Sequence, residues 1–399
     1  MSGPWLDVIG IGEDGWQGLA APARARLEAA EVIIGGARHH ALAPHLTAER
    51  MEWPSPFREL AGELAAMRGR KVAVLVTGDP LWYSAGALFL RRFGADEITF
   101  HPQLSAFQLA AVRMKWSLAD LETLTIHGRP AEQAIPFFGH GQRLLILTQD
   151  AGSPARIAGM LRDAGLGESR LTALGAMGGP QESRIDGVAA TWDAADVPDF
   201  HVLAVECIGA PGAALLPPTG LPDDAFAHDG KMTKREIRAL TLCALAPRRG
   251  EMLWDIGTGC GSVAVEWMRA GRDMRAVGID PSPERLAMAA GNAVRLGAPR
   301  LDLRTGRAPE ALAGLPVPDA IFIGGGLSVE VAEAALAALA PHGRLVANAV
   351  TLESEALLAA LHARHGGRLI RVAVSRAGPV GRLTGWKPAM PVTQWSLTT

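Results

Sequence analysis

Met252 to Ile256 is a short apolar run that leads directly into Gly257-Thr258-Gly259-Cys260-Gly261. A run of this length suits one buried parallel strand. Glycines at alternate positions leave the following turn without Cβ atoms, so a ligand can lie against bare backbone. A helical pattern begins at Ser262, and the unpaired N–H groups of its first turn point at the same place. The spacing is G-x-G-x-G and not the dinucleotide fingerprint G-x-G-x-x-G. Asp255 precedes it, and Asp280 closes the next apolar run, Ala276–Ile279. An acid at that second strand end can take both hydroxyls of a ribose. The competing reading is a glycine-rich turn in some other α/β domain.

The stretch resembles the cofactor loop of the Rossmann-like S-adenosylmethionine methyltransferases. The resemblance implies cofactor contacts from Asp255, Gly257, Thr258, Gly259, Cys260, Gly261 and Asp280. A chain of 399 residues exceeds one ordinary core, so two domains are expected. The net charge of −2 supplies no basic field, which argues against a nucleic-acid substrate. Cys207, Cys243 and Cys260 have no C-x-x-C spacing, so neither a disulfide framework nor a zinc site is suggested. His39, His40 and His45, and separately His362 and His365, lie close in sequence, but no Cys or acid completes either set. No metal is expected. The N-terminus reaches Asp7 without the basic and apolar regions of a signal peptide, and charges interrupt the alanine-rich runs before they could span a membrane. The expectation is a cytoplasmic enzyme with no membrane partner.

In the first half, Leu6–Ile11 is a strand that runs into Gly10-Ile11-Gly12-Glu13-Asp14-Gly15. This string does match G-x-G-x-x-G, but the next strand, Glu31–Ile34, ends in Gly35-Gly36 and offers no acid to hold a ribose. It reads as a sharp turn from strand to helix. Lys71–Thr77 is a strand ending in Gly78-Asp79-Pro80, the kind of strand end where open α/β sheets bind ligands. Ile98–Pro102 passes into a helix with Ser105 near its start, and Leu144–Gln149 leads to Ser153-Pro154, an expected Ncap–N1 pair. Leu171–Met177, Arg184–Gly187 and His201–Ile208 suggest an antiparallel or mixed sheet.

Val8-Ile9-Gly10-Ile11-Gly12, Gly78-Asp79-Pro80-Leu81-Trp82-Tyr83-Ser84, Ser105-Ala106-Phe107 and Leu147-Thr148-Gln149 fall in the order of the tetrapyrrole methylase family. The resemblance covers about residues 1–208. It implies two α/β subdomains with S-adenosylmethionine between them, held by Gly10, Gly12, Gly78, Asp79, Pro80, Ser105 and Ala106. Glu13 stands where many members carry proline, and Gln103 where many carry glycine.

Gly209–Gly230 is proline-rich with little periodicity and reads as a linker between domains 1–208 and 231–399. Thr233 and Glu236 have capping-box spacing for the helix that follows. That helix end arrives just before the cofactor strand, where Thr233 could also close over the cofactor. Ser282-Pro283-Glu284 opens another helix. The third strand, Leu301–Arg304, ends at Thr305-Gly306-Arg307-Ala308, and the methyltransferase resemblance sets Gly306 and Ala308 against the adenine. Ala320–Ile323 ends in Gly324-Gly325-Gly326. The Asn/Asp-Pro-Pro-aromatic element with which nucleic-acid methyltransferases grip a flipped base is missing there, which leaves floor for something broad and flat. Gly343–Val350, Leu369–Ser375 and an antiparallel Val392–Leu397 complete an expected seven-stranded sheet.

Thr233-Lys234-Arg235-Glu236-Ile237-Arg238, Trp254-Asp255-Ile256-Gly257, Phe322-Ile323-Gly324-Gly325 and Asn348-Ala349-Val350-Thr351-Leu352-Glu353 resemble the C15-methylating, decarboxylating subunit of cobalamin biosynthesis. With both halves on one chain, the sequence is similar to the bifunctional, decarboxylating precorrin C5,15-methyltransferases. That resemblance implies methylation at C5 by the first half and at C15 by the second, with loss of the C12 acetate carboxyl. It implies a homo-oligomer as well. A polycarboxylate substrate calls for cations, so Lys231, Lys234 and Arg235 are candidate substrate residues, together with Gly324, Gly325 and Asn348. The competing reading of Lys231, Lys234, Arg235 and Arg238 is an ordinary solvated face. Glu353 is a candidate proton acceptor. The residues alone leave two other functions open: an NAD(P)-dependent oxidoreductase and a non-catalytic S-adenosylmethionine-binding module.

Overall fold

The computed structural model describes residues 3–54, 59–210 and 215–399. Two compact units divide the chain: unit 1 is Met1–Arg129 with Gly139–Ala213, and unit 2 is Pro130–Phe138 with Ala214–Thr399.

Unit 1 holds two sheets. In the first, β1 (Leu6–Ile11), β2 (Val32–Gly35), β3 (Glu49–Glu52), β4 (Val72–Thr77) and β5 (Ile98–His101) lie in the order β3-β2-β4-β1-β5 with every pair parallel. Successive side chains of a strand leave by opposite faces. Leu6 and Val8 therefore enter one core with Phe89, while Ile9 and Ile11 enter another with Leu27. A strand buried on both faces is expected to be nearly all apolar, and in β1 Asp7 is the charged exception, meeting His101 Nε2 at 2.7 Å. The second sheet, β6 (Glu122–Thr125), β7 (Arg143–Leu147), β8 (Arg170–Gly175), β9 (Ser183–Val188) and β10 (His201–Glu206), runs β6-β7-β10-β8-β9. Only β6 and β7 pair in parallel, so this is the mixed sheet that its sparse helices suggested. The helix after β7 starts one residue earlier than expected, at Ser153. Gly152 is its N-cap, and Ser153 instead accepts the N–H groups of Gln149 and Asp150.

The main sheet of unit 2 is built from β11 (Met252–Ile256), β12 (Arg275–Asp280), β13 (Asp302–Thr305), β14 (Ala320–Ile323), β15 (Arg344–Ala349), β16 (Arg368–Val372) and β19 (Val392–Thr398). Their order is β13-β12-β11-β14-β15-β19-β16, and β19 is antiparallel to both neighbours, as the sequence implied. Met252, Trp254 and Ile256 point into one core, Leu253 into the other. Trp267 and Trp395 are fully buried, and each indole donates to a carbonyl, of Arg275 and Gly366 respectively. A hairpin that sequence reading missed, β17 (Ser375–Val380) and β18 (Leu383–Pro388), follows β16. Its glycines and prolines disguise it as a loop, and Leu383 and Trp386 stay exposed.

The chain between the units is described except for residues 211–214 of the expected linker, which lie outside the described residues. From Pro217 onward it packs onto unit 2. Leu221 and Phe226 are buried, and Glu266 accepts the N–H groups of Gly220 and Leu221. Pro217 and Pro218 carbonyls accept from Arg269.

Candidate cofactor and substrate sites

In unit 2 the strand ends of β11, β12, β13 and β14 form one rim. Gly257, Gly259 and Gly261 all have positive φ, where glycine carries no steric penalty. A Cβ on Gly257 would stand 2.6 Å from the Gly325 nitrogen, so the glycine turns after β11 and β14 press backbone to backbone. This contact joins Gly257 to Gly325, with Gly324 beside it.

Two buried carboxylates thread the loop. Asp280 accepts the Gly259 N–H at 3.0 Å through one oxygen and the Ser282 N–H at 3.0 Å through the other. Its backbone carbonyl accepts the Gly306 N–H at 3.2 Å, which draws the third strand end, with Ala308, to the same rim. Asp255 accepts from Thr258 Oγ1 at 2.8 Å and from the Ala264 N–H at 3.1 Å, both through Oδ2. Its Oδ1 is buried without a hydrogen-bond partner. Burial, and then the nearby charge of Asp280, raise its pKa from 3.8 to about 7, against the opposing hydrogen bonds. Cys260 is buried, and burial pushes its thiol upward. The Lys231 carbonyl lies 4.0 Å from the point where a Gly259 Cβ would be, so the segment ahead of helix Arg235–Leu245 borders the loop. Bare backbone, a capping acid and an orphaned carboxylate oxygen fit a cofactor with ribose and cationic parts.

The expected capping box at Thr233 is not formed. Lys234 is the N-cap and makes no side-chain cap, while Asp223 accepts the Arg235 N–H at 2.9 Å. Asp223 was hidden in the presumed linker. The Thr233 carbonyl accepts from Arg238, whose side chain is fully buried. Arg238 meets Glu266, equally buried, at 2.6 Å, and its guanidinium lies over the Phe226 ring at 4.8 Å. It is therefore an internal tie and not part of a solvated face. Lys231 and Arg235 are exposed and Lys234 half-buried, and none forms an ion pair among the described residues. Asn348, at the end of β15, donates to Thr241 Oγ1 at 3.0 Å and accepts from Gln394 at 3.0 Å. Glu353 lies exposed in the first turn of helix Leu352–His365 and not on the strand.

In unit 1 the same kind of rim is made by backbone packing, with no carboxylate among the described residues buried beneath its glycines. A Cβ on Gly10 would fall 1.8 Å from the Gly78 carbonyl oxygen, and one on Gly78 (φ +63°) would lie 3.1 Å from Ser105 Cα. The ends of β1 and β4 thus meet the turn that begins helix Ala106–Met114. Ser105 caps that helix, accepting the Gln108 N–H, while Gln108 accepts the Ser105 N–H. Asp79 accepts the Leu81 N–H, and the buried Pro80 carbonyl accepts the Gly86 N–H. The Gly12 carbonyl accepts the Gly15 N–H, the sharp turn that the sequence suggested. Gln103 spans its loop, donating to the Gly18 carbonyl and accepting the Leu104 N–H.

Sequence reading missed a polar group at the ends of β1, β2 and β4. Arg38 contacts Glu13 at 2.7 Å, donates to Thr77 Oγ1 at 3.3 Å, and lies 4.1 Å from the centre of the Phe200 ring. His39 accepts the Gly36 N–H on Nδ1 and meets Thr77 Oγ1 with Nε2 at 3.0 Å. Burial, then Arg38 and His40, lower its pKa to about 4, so the ring is neutral. Its sequence neighbours turn elsewhere: His40 to the Met51 carbonyl, His45 to the Trp16 ring. No local pattern announces the group, because its members come from distant turns.

Comparison with known proteins agrees across the chain. The tetrapyrrole (corrin/porphyrin) methylases match residues 6–192, and the precorrin methyltransferase domain matches residues 224–399. A precorrin-6Y C(5,15)-methyltransferase [decarboxylating] from Sinorhizobium sp is 50% identical over 99% of this chain and 96% of its own. A protein of the same name from Mycobacterium tuberculosis is 40% identical over 98% of this chain and 99% of its own. The crystal structure of the C-terminal domain of precorrin-6Y C5,15-methyltransferase from Rhodobacter capsulatus is 52% identical, covering 46% of this chain and 100% of that one, with a TM-score of 0.44.

Proposed function

Because this chain belongs to the family of decarboxylating precorrin-6Y C(5,15)-methyltransferases, we propose that each of its two units carries its own methyl-transfer site. It is an S-adenosylmethionine-dependent C-methyltransferase of cobalamin biosynthesis, acting on a precorrin macrocycle. Unit 1 methylates C5. Unit 2 methylates C15 and releases the C12 acetate carboxyl as carbon dioxide, so that precorrin-6Y becomes precorrin-8. The observation that carries the two-site reading is that each unit completes a glycine-bearing rim from its own strand ends. The nicotinamide and non-catalytic readings lose their footing in a family of methyltransferases.

The cofactor supplies an electrophilic methyl group on a sulfonium. In unit 2, Asp280 and Thr233 hold its ribose end, Gly306 and Ala308 border the adenine, and Asp255 and the Gly257–Gly261 backbone take the cationic end. In unit 1, Gly10, Gly12, Gly78, Asp79, Pro80, Ser105 and Ala106 have the corresponding task. Alignment of donor and nucleophilic carbon provides most of the rate gain, so the side chains chiefly bind and orient. The macrocycle itself can hold the electron pair left by carbon dioxide, and no metal is required. Gly324, Gly325 and Asn348 form the substrate floor of unit 2, with Lys231, Lys234 and Arg235 meeting carboxylates at its edge. Thr241 and Gln394 fix the Asn348 amide. Glu353 is exposed at a helix start and remains only a candidate proton acceptor. A cytoplasmic homo-oligomer completes the reading, and no helix among the described residues is long and apolar enough to cross a membrane.

Incubation with precorrin-6Y and S-adenosylmethionine, followed by mass spectrometry, tests this function. The expected product has gained two methyl groups and lost one carbon dioxide. A folded enzyme that binds the cofactor yet leaves the tetrapyrrole mass unchanged would sink the reading.

A further inference from the structure

Glu13 and Arg38 form an ion pair of an unusual kind. Their contacting atoms lie 2.7 Å apart and both are buried, yet neither completes a well-directed hydrogen bond. Arg38 keeps a third of its side chain exposed while Glu13 keeps less than a fifth, so the pair borders solvent chiefly on the Arg38 side. One guanidinium face is covered by the Phe200 ring, itself half exposed, and a further N–H goes to Thr77 Oγ1. Desolvation lowers the pKa of Arg38 and the charge of Glu13 only partly offsets it. Such a cation gains from any better-directed carboxylate.

The position is equally telling. Glu13 follows β1, Thr77 ends β4, and Arg38 follows the end of β2, all at the carboxyl ends of a parallel sheet. Open α/β sheets bind ligands at that edge. Neutral His39 holds the other side of Thr77 and fixes the hydroxyl without adding charge. An aromatic ring beside a planar cation is also what a flat polycarboxylate would meet: apolar surface for the ring, a fork for one side chain.

We propose that Arg38 is the carboxylate anchor of the unit 1 substrate site, and that Glu13 occupies it until a carboxylate of the tetrapyrrole displaces it. This rests on the methyl-transfer reading above. Phe200 then forms part of the wall on which the macrocycle lies. Glu13 and the substrate compete for one cation, which separates an anchor from a purely structural ion pair.

The test uses the full-length enzyme, precorrin-6Y and S-adenosylmethionine, with methyl groups counted by mass spectrometry and cofactor binding followed by calorimetry. Arg38→Gln should raise the KM for tetrapyrrole about tenfold or more with kcat and cofactor affinity nearly held. Arg38→Lys should recover part of that loss. Glu13→Gln should lower KM, because the competitor for the cation is weakened. The proposal is overturned if Arg38→Gln leaves KM alone, or if Glu13→Gln leaves KM unchanged or raises it. Should Arg38→Gln misfold, Glu13→Gln still decides, because a structural pair and a competitor give opposite signs. A wild-type enzyme that transfers no methyl to the tetrapyrrole would sink the functional reading, and this inference with it. Normal wild-type turnover with an unmoved KM would sink the anchor alone.

Discussion

Gly10 in unit 1 has an ordinary backbone conformation, and what bars a side chain there is a second turn, whose Gly78 carbonyl fills the space. Unit 2 reaches bare backbone by another route. Gly257, Gly259 and Gly261 adopt positive φ in succession, and the side chains of Asp255 and Asp280 hold the loop from within. One rim is locked by backbone against backbone, its Asp79 capping only the local turn; the other is strung on two buried acids. Similar glycine strings thus encode different devices. Unit 2 should accordingly respond to charge and pH, and unit 1 to steric change.

The largest effects should come from closing each rim in turn. Gly10→Val and Gly257→Val both force atoms into occupied space, and misplacement by about 1 Å is worth roughly a hundredfold in rate. Each variant should lose about that much of one methyl transfer. Mixed together with substrate, the two variants should restore the doubly methylated, decarboxylated product, because the intermediate can pass between them. If the mixture forms no more product than either variant alone while both bind tetrapyrrole, the sites are not separate.

Next in size is Asp280→Ala. It removes the acceptor of the Gly259 N–H and the proposed ribose partner. Charge-assisted bonds of this type contribute about 1.5–3 kcal/mol. Calorimetry of the full chain should show cofactor affinity in unit 2 reduced by at least tenfold, with the unit 1 site unchanged. Equal weakening of both sites would erase the contrast between the two rims.

The pH response follows from Asp255. Its folded pKa of about 7 exceeds the ordinary 3.8, so the folded state binds this proton more tightly than the unfolded chain does. Its contribution to the stability of unit 2 is therefore fully present below about pH 4 and is lost as pH rises towards 7. A cationic ligand demands the opposite state, the carboxylate. Cofactor affinity in unit 2 should fall as pH drops below about 7, by up to about tenfold per pH unit. Asp255→Asn should flatten that profile. A profile that keeps its slope in Asp255→Asn would mean that another group titrates.

The contrast between rims also marks how much the sequence could disclose. Parallel strands buried on both faces are visible as apolar runs, and glycine turns as glycines, so the seven-stranded sheet and both glycine rims were legible. Long-range polar ties were not. Arg238 lies among exposed cations in sequence, and only its meeting with Glu266 in the core reveals a buried pair. Thr233 has the spacing of a cap, yet Asp223 takes the helix N–H instead, since the chain folds back from Leu221 to the helix. The short strands Glu49–Glu52 and Glu122–Thr125 carry charge or alternate weakly, so pairing alone defines them. Asp255 was legible as an acid before glycines, but its orphaned oxygen depends on burial that no local pattern reports.

The smallest effects should come from the edge of unit 2. Lys231 and Arg235 are exposed and Lys234 is half-buried, whereas Arg38 in unit 1 is largely enclosed. Exposed ion pairs contribute only about 0.2–1 kcal/mol each, because water and salt screen them. Lys231→Gln, Lys234→Gln and Arg235→Gln should therefore each raise the KM for decarboxylation only a few-fold, and together by more, with cofactor binding intact. High salt should raise the wild-type KM towards that of the triple variant. Arg249→Gln supplies the control, since Arg249 is equally exposed in unit 2 but already paired with Asp273. Were the three cations an ordinary solvated face, the triple variant and the Arg249 control would show the same unchanged KM. A large effect from any one of them would instead mean that substrate binding encloses that cation as tightly as Arg38 is enclosed, and the two units would then share a mode of anchoring.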